Sequence, residues 1–502
     1  MAPARSPNIV LILVDTLRRD HLSCYGHRRR TSPCLDRLAQ ESTLYTRAIS
    51  PGAWTVPSQA SIFTGTYPSR HGVDRTHPYL DCSLTTLPEY LRAQGYRTFG
   101  ISSNFWISNA THYDRGFDVF SQSWQLMQAR GNPSLERQQR RDPGYSGPAA
   151  PSSINDRVRV AANRLEAAFW RRCCAPVMAV DKGAGRVTRV VKRWIKRWAT
   201  LDQPFFGFIH YMEPHLPYRP PARFVRQHLD ARDALRARSV NQNALKFMTG
   251  RVTMTAEDFD LLGRLYDAEV SYTDHCIGEV VEGLRASRLL DNTLLVFCSD
   301  HGENIGDHGL MDHMFSVHDS ITGVPLIVRY PGEAQRGTEH GLVQTLDIFP
   351  TVASLVGRDG RSGNGTDATL AEQLQGGALP PFGSAREFAV TELQRVQPPI
   401  PTLRRRYPGF DWRVYDRSLC ALRTATHKYV QGSNGTEELY AMATDPRETT
   451  NRIAADRGRA AEMRARLDAW RGGFTPVTPT DSAEELDPEI QRRLQDLGYI
   501  EA

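Results

Sequence analysis

Three features of the sequence predict an α/β fold: a mainly parallel central sheet flanked by helices, with a small C-terminal α+β subdomain. The first is an apolar run at residues 9–14 that ends in Asp15. An unbroken run of this length reads as a strand covered on both faces. The second is the alternation of such runs with helical stretches over most of the chain. The third is a change of texture after about residue 385, where the strand-like runs become shorter.

Taken in order, residues 87–94 read as a helix and 97–102 as the strand that follows it. Residues 130–153, rich in Arg, Gln, Pro, Gly and Ser, read as an exposed loop or lid. Near 185–199, Val187, Val190, Val191, Trp194, Ile195 and Trp198 recur at helical spacing, which predicts a helix packed on a core with its basic residues outward. A strand at 205–210 follows, then a long helix at about 256–288, a strand at 293–299 and another at 324–329. The C-terminal part offers short strands at 388–391 and 428–431 and helices near 458–470 and 488–497. The expected division is a catalytic domain at 1–385, carrying a basic insertion at about 121–200, and a subdomain at 386–502.

The 502 residues are 40% apolar and 24% charged, the balance of a soluble globular protein with chain enough for a sizeable core. The run at 9–14 is too short to cross a bilayer and lacks a small-residue cleavage pattern, so a cytoplasmic protein is expected. The eight cysteines have no metal-finger spacing, and Cys173 and Cys174 are adjacent; all are expected to be reduced. The net charge of +6 is unevenly spread: residues 130–197 hold sixteen Lys and Arg against five Asp and Glu. Such a segment suits an anionic small molecule or peripheral contact with an acidic membrane surface, or is simply the solvated face of a helix. Nucleic-acid binding is not expected, because no aromatic–basic RNA motif, zinc finger or helix-turn-helix pattern accompanies the charge.

Chemistry in an open α/β sheet gathers at the carboxyl ends of the strands. Two of the most apolar strands end there in Asp15-Thr16 and in Asp300-His301, with Glu303 close behind. Carboxylate, imidazole and hydroxyl groups together suit a divalent cation. Thr55, in Trp54-Thr55-Val56-Pro57-Ser58-Gln59, stands where an apolar helix opens. It is either an ordinary cap or a hydroxyl held where a helix N-terminus favours an anion. His215, His308, His313 and His318 lie in loops after strands, where a histidine can bind metal or protonate a leaving group.

These segments carry a resemblance. PNIVLILVDTLRRDHLSCYG, WTVPSQASIFTGTYPSRHG, GYRTFGISSN, HYMEPHLPY, SDHGENIGDHGL, VPLIVRYPG, ELYAMATDPRETTNR and RLQDLGYI occur in the order found in the sulfatase-like branch of the alkaline phosphatase superfamily. They span nearly the whole chain apart from the basic segment. The resemblance implies that Asp15, Asp300 and His301 are metal ligands and that Thr55 is the nucleophile and also touches the metal. It implies that Asn104 contacts a non-bridging ester oxygen and that His215 serves the substrate or leaving group. His313 falls where sulfatases usually have Lys and some phosphotransferase relatives have His, and His308 matches a histidine of the GEHGL-like segment.

The chain also departs from the sulfatase pattern. Sulfatases carry a Cys or Ser that is oxidised to formylglycine, within C/S-x-P-x-R; here the two key positions are Thr55 and Gln59. A β-branched Thr cannot yield that aldehyde hydrate. Thr16 replaces a second Asp, and Asp300-His301 replaces Asp-Asn, which favours zinc or manganese over calcium. Thr at the nucleophile position resembles the nucleotide phosphodiesterases and the phosphoethanolamine or glycerophosphate transferases of the superfamily. The expected function is therefore metal-dependent hydrolysis or transfer of phosphate esters, diester or monoester, on an anionic small-molecule substrate. The alternatives are a sulfuric ester hydrolase or sulfuryl transferase, and a catalytically idle anion-binding protein.

Overall fold

The apolar run after Pro7 forms β1 (Asn8–Val14), in the middle of the main sheet. The computed structural model describes residues 6–123, 182–333, 335–356 and 366–473. Within them the remaining strands of that sheet are β2 (Thr43–Ile49), β3 (Arg97–Ser102), β4 (Val119–Gln122), β5 (Phe205–Tyr211), β6 (Thr293–Ser299), β9 (Gly323–Arg329) and β10 (Gly337–Gln344). Their order is β10-β2-β9-β6-β1-β5-β3-β4. All the pairings are parallel except those of β9, which runs against both β2 and β6.

Register decides what the sheet delivers at its carboxyl edge. Val14 stands opposite Ser299 of β6 and Tyr211 of β5, so Asp15 and Asp300 leave the sheet side by side. His210, opposite Leu13, lies one step inside that edge. Between β6 and β9, Asn304–Ile305 (β7) and Met311–Asp312 (β8) form a two-stranded hairpin beside the same edge.

Helices cover both faces. The helix Ala184–Trp198 buries Val187, Val191, Ile195 and Trp198 and leaves Lys192, Arg193, Lys196 and Arg197 exposed, as the spacing predicts. Trp198 stacks on Phe205 at 4.4 Å, and a Cβ on Gly207 would come within 2.7 Å of its ring. The helix Ala256–Ala286 starts at a capping box made by Thr255 and Asp258 and packs on the same side of the sheet.

The C-terminal part forms an antiparallel sheet of β11 (Ala389–Leu393), β12 (Leu419–Arg423), β13 (Lys428–Gly432) and β14 (Glu437–Tyr440). The helix Arg457–Arg471 closes it, burying Met463 and Leu467 with Leu422, Tyr429 and Leu439. Buried charges join this sheet to the larger half. Lys428 donates to the Val317 carbonyl and pairs with Glu448 at 2.8 Å, and Asp319 takes Arg423, Arg19 and Lys428. Most of the basic insertion, the loop at 130–153, Cys173, Cys174 and the helix expected near 488–497 lie outside the described residues.

Candidate active site

Thr55 is the first residue of the helix Thr55–Thr64, whose ten residues are all buried. Trp54, in extended conformation, occupies the cap position and makes no side-chain cap bond. The loop before it turns tightly: a Cβ on Gly52 would lie 2.7 Å from Ser58 Oγ and 2.8 Å from the Ser58 nitrogen. Thr55 does not cap its own helix. Its hydroxyl lies 3.2 Å from His301 Nε2 and 3.5 Å from Asp15 Oδ2.

The four residues expected to hold a cation converge here. Asp15, Asp300 and His301 are fully buried, and His301 Nε2 stands 3.6 Å from Asp15 Oδ1 and 3.8 Å from Asp300 Oδ1. His301 Nδ1 lies 2.9 Å from the Gly302 carbonyl, which can only accept, so Nδ1 carries the proton and Nε2 offers a lone pair to the site. Burial, and then the neighbouring Asp300, raise the Asp15 carboxyl well above its ordinary range. Burial likewise pushes Asp300 up to about 7. Asp15 Oδ1 is buried and accepts no hydrogen bond. Two buried carboxylates with one orphaned oxygen are the donor set a divalent cation satisfies. Thr16, β-branched and buried, adopts φ 56 at this strand end, a strained conformation.

Asp15, His210 and Asp300 also approach closely enough to share a metal ion. The hydrogen bonds give His210 another role. Gln59 Nε2 donates to Asp300 Oδ2 at 2.9 Å and to His210 Nε2 at 3.1 Å; the carboxylate fixes the amide orientation. His210 Nδ1 donates to Ser102 Oγ at 3.0 Å, and burial lowers the imidazole to about 3, so it is neutral with both nitrogens satisfied. His210 and Gln59 therefore support Asp300 from behind.

Asn104 lies in the site as expected, but its amide donates to Asp15 Oδ2 at 2.9 Å and its carbonyl oxygen accepts the Trp106 N–H. His313 forms the opposite wall. Its Nδ1 lies 2.8 Å from Asp312 Oδ1 and 3.3 Å from Glu303 Oε1. Burial opposes its charge, but Asp312 and Glu303 together outweigh that and hold the imidazolium protonated well above the ordinary histidine range. His215 packs edge-on to His313 at 5.2 Å, and its Nδ1 donates to the Leu216 carbonyl. His308 and His318 are not brought to Thr55; they stack on each other at 3.6 Å, with Glu438 and Tyr440 beside His318. A cleft of about 420 Å³, including its open mouth, is lined by Trp54, Thr55, Asn104, Trp106, Asp312, His313, Met314 and Gln397.

Contributors not foreseen as site residues are His210 and Gln59 behind Asp300, and Asp312, Trp106, Met314 and Gln397 in the cleft wall. His210 is hidden in an apolar strand, and Gln397 comes from the distant C-terminal part. Asp312, the last residue of β8 and the neighbour of His313, carried a readable signal as a charge partner.

The sulfatase family model matches residues 7–358. The chain belongs to the sulfatase family. Mouse iduronate 2-sulfatase is 27% identical over 408 residues, covering 70% of this chain and 68% of that protein. An ulvan-active sulfatase of Formosa agariphila is 24% identical over 452 residues, covering 89% of this chain and 76% of its own. In fold, this sulfatase-family chain matches the phosphonate monoester hydrolase of Agrobacterium radiobacter, with TM-score 0.65, 22% identity and coverage of 93% and 95%. The corresponding enzyme from Silicibacter pomeroyi gives TM-score 0.66, 20% identity and coverage of 94% and 97%. The family makes the chain an ester hydrolase of the sulfatase and alkaline phosphatase superfamily. Among the described residues, no helix is long and apolar enough to cross a membrane.

Proposed function

We propose that this chain is a metal-dependent hydrolase or transferase of phosphate esters, diester or monoester, with Thr55 as its nucleophile. One observation carries this reading: the Thr55 hydroxyl lies in the cleft, at a helix N-terminus, between Asp15 and His301. Asp15, Thr55, Asp300 and His301 would hold the cation. The imidazole favours zinc or manganese over calcium. A bound divalent ion lowers the pKa of a hydroxyl and neutralises ester oxygens.

The chain's own groups supply the rest. Thr55 Oγ1 would pass its proton to Asp15 Oδ2, its hydrogen-bond acceptor, and form the new bond to phosphorus while the bond to the leaving oxygen breaks; the proton returns to Thr55 when it is displaced. The N–H groups of Thr55 and Val56 have no partner inside the helix and favour the anion; Pro57 has no N–H to add. With Nδ1 held by Asp312 and Glu303, the His313 imidazolium keeps Nε2–H to give to the leaving oxygen. Water or an acceptor alcohol then displaces Thr55. Gln59 and His210 hold Asp300 in place, and Asn104 does the same for Asp15. Cytoplasmic residence belongs to the same proposal and is supported by the free thiols of Cys24, Cys34, Cys298 and Cys420.

A second reading, hydrolysis or transfer of sulfate esters through Thr55, is favoured by the family itself and by the sulfatases among its relatives. Matched nitrophenyl esters separate the two: phosphate diester, phosphate monoester and sulfate, each with zinc, manganese or calcium. Faster turnover of either phosphate ester is expected. Faster turnover of the sulfate would replace the first reading by the second.

The role of His313 has its own signature. His313→Gln should slow esters of poorly acidic alcohols by about 10²–10⁴ and nitrophenyl esters far less, because only the former need a proton. An equal loss on both would move His313 to anion or cation binding.

A further inference from the structure

A second group of metal-type ligands lies behind the strand end, apart from the cleft. His21 and His27 come from the loop after β1, and Asp267 comes from the helix Ala256–Ala286. Asp267 is fully buried, and the two imidazoles, stacked at 5.0 Å and 23°, address one carboxylate oxygen each. His21 Nδ1 is 2.7 Å from Asp267 Oδ1, and His27 Nε2 is 3.2 Å from Asp267 Oδ2.

The geometry at His27 is the informative part. Its Nδ1 lies 2.9 Å from the Asp20 carbonyl, so Nδ1 must be the protonated nitrogen. In the neutral ring, Nε2 then turns a lone pair towards a carboxylate oxygen, and two acceptors face each other. Something positive belongs between them. Arg29 donates to that same oxygen at 2.7 Å, which uses one of its two lone pairs and leaves the other to a cation shared with His27. Its second arm already reaches towards Asp260, at 3.5 Å.

We propose that His21, His27 and Asp267 form a binding site for a transition-metal cation of the zinc class, separate from the candidate active site. Two imidazoles and a carboxylate are a borderline-soft donor set of the kind zinc takes. Around a tetrahedral zinc with bonds of about 2.0–2.1 Å, neighbouring donors stand about 3.3 Å apart. The three donors here lie within 4.8 Å of one another, so small side-chain shifts suffice. The partial exposure of His21 and His27 leaves water room to complete the shell. The site also braces the strand end. Tyr266, next to Asp267, packs edge-on to His21 at 4.8 Å, donates its hydroxyl to the Thr16 carbonyl at 2.7 Å and accepts the Arg18 N–H at 2.8 Å.

The test uses the full chain, stripped with a chelator, loaded with Zn²⁺ alone, passed through gel filtration and analysed for bound metal. His27→Gln is expected to hold one zinc equivalent fewer than the unsubstituted chain, at an unchanged metal-free melting temperature. His21→Gln, an independent second variant, should lose the same equivalent. The difference should persist in an Asp15→Asn background, which weakens only the other site. Equal zinc content in the unsubstituted chain and both variants would overturn the proposal and leave a protonated His27 donating to Asp267 as what fills the gap.

Discussion

Thr55→Ala is expected to reduce turnover by on the order of 10⁴ or more while leaving the fold intact. The Thr55 hydroxyl is the one group in the cleft that combines nucleophilic oxygen, a helix N-terminus and contact with both Asp15 and His301. Removing it deletes one hydroxyl and one methyl from a buried position; the long contacts to Asp15 and His301 go with it, while Asn104 still holds Asp15, Gln59 still holds Asp300 and the Gly302 carbonyl still holds His301. Thr55→Ser should retain much of the activity, because it keeps the oxygen in place. A covalent phosphoryl group should be trapped on residue 55 in the unsubstituted chain after rapid quenching, and be absent in Thr55→Ala. Full activity in the Ala variant would remove Thr55 from the chemistry.

The second large effect concerns stability and its dependence on pH. Asp15 and Asp300 are raised above their unfolded values by burial in the cation-free chain. A raised carboxyl favours the protonated form in the folded state. The stability it contributes is fully present below the unfolded value of about 4 and is lost as pH rises through the folded value. In chelator, stability should therefore fall from about pH 4 towards neutrality, by up to roughly 1.4 kcal/mol per pH unit for each carboxyl. Zinc or manganese should reverse that fall, adding about 2.7 kcal/mol when present at a hundredfold excess over its dissociation constant. Asp15→Asn preserves the bonds from Asn104 and Thr55 if its carbonyl oxygen takes the inner position. It should be more stable than the unsubstituted chain in chelator at neutral pH, respond less to zinc and be inactive. Denaturant titrations at several pH values, with and without metal, read all three. Unchanged stability on adding metal would argue against a cation at this edge.

Much of the site was legible because Asp15 and Asp300 end apolar runs, and parallel strands put such ends on one edge. Val14 opposite Ser299 makes that concrete. Thr55 was legible only as one of two alternatives; whether a hydroxyl caps its helix or faces across a cleft depends on residues 246 positions away. His210 was hidden by its strand, since a fully covered strand has no polar face to flag it. The reversed direction of β9 was hidden for the same reason: a strand buried on both faces reads alike in either orientation. The amide of Asn104 shows a different limit. Its position is readable, but its partner, Asp15, is set by tertiary packing.

The cleft is walled by residues from both ends of the chain, with Gln397 beside Trp54 and Thr55. A ribosome that has added the first 385 residues has delivered Asp15, Thr55, Asp300, His301 and His313, but not that wall. Nor has it delivered Lys428 and Arg423, whose charges join Val317 and Asp319 to the small sheet. During synthesis the chain therefore carries those five side chains long before the cleft around Thr55 is complete, and any stop codon before Gln397 yields a product without that wall.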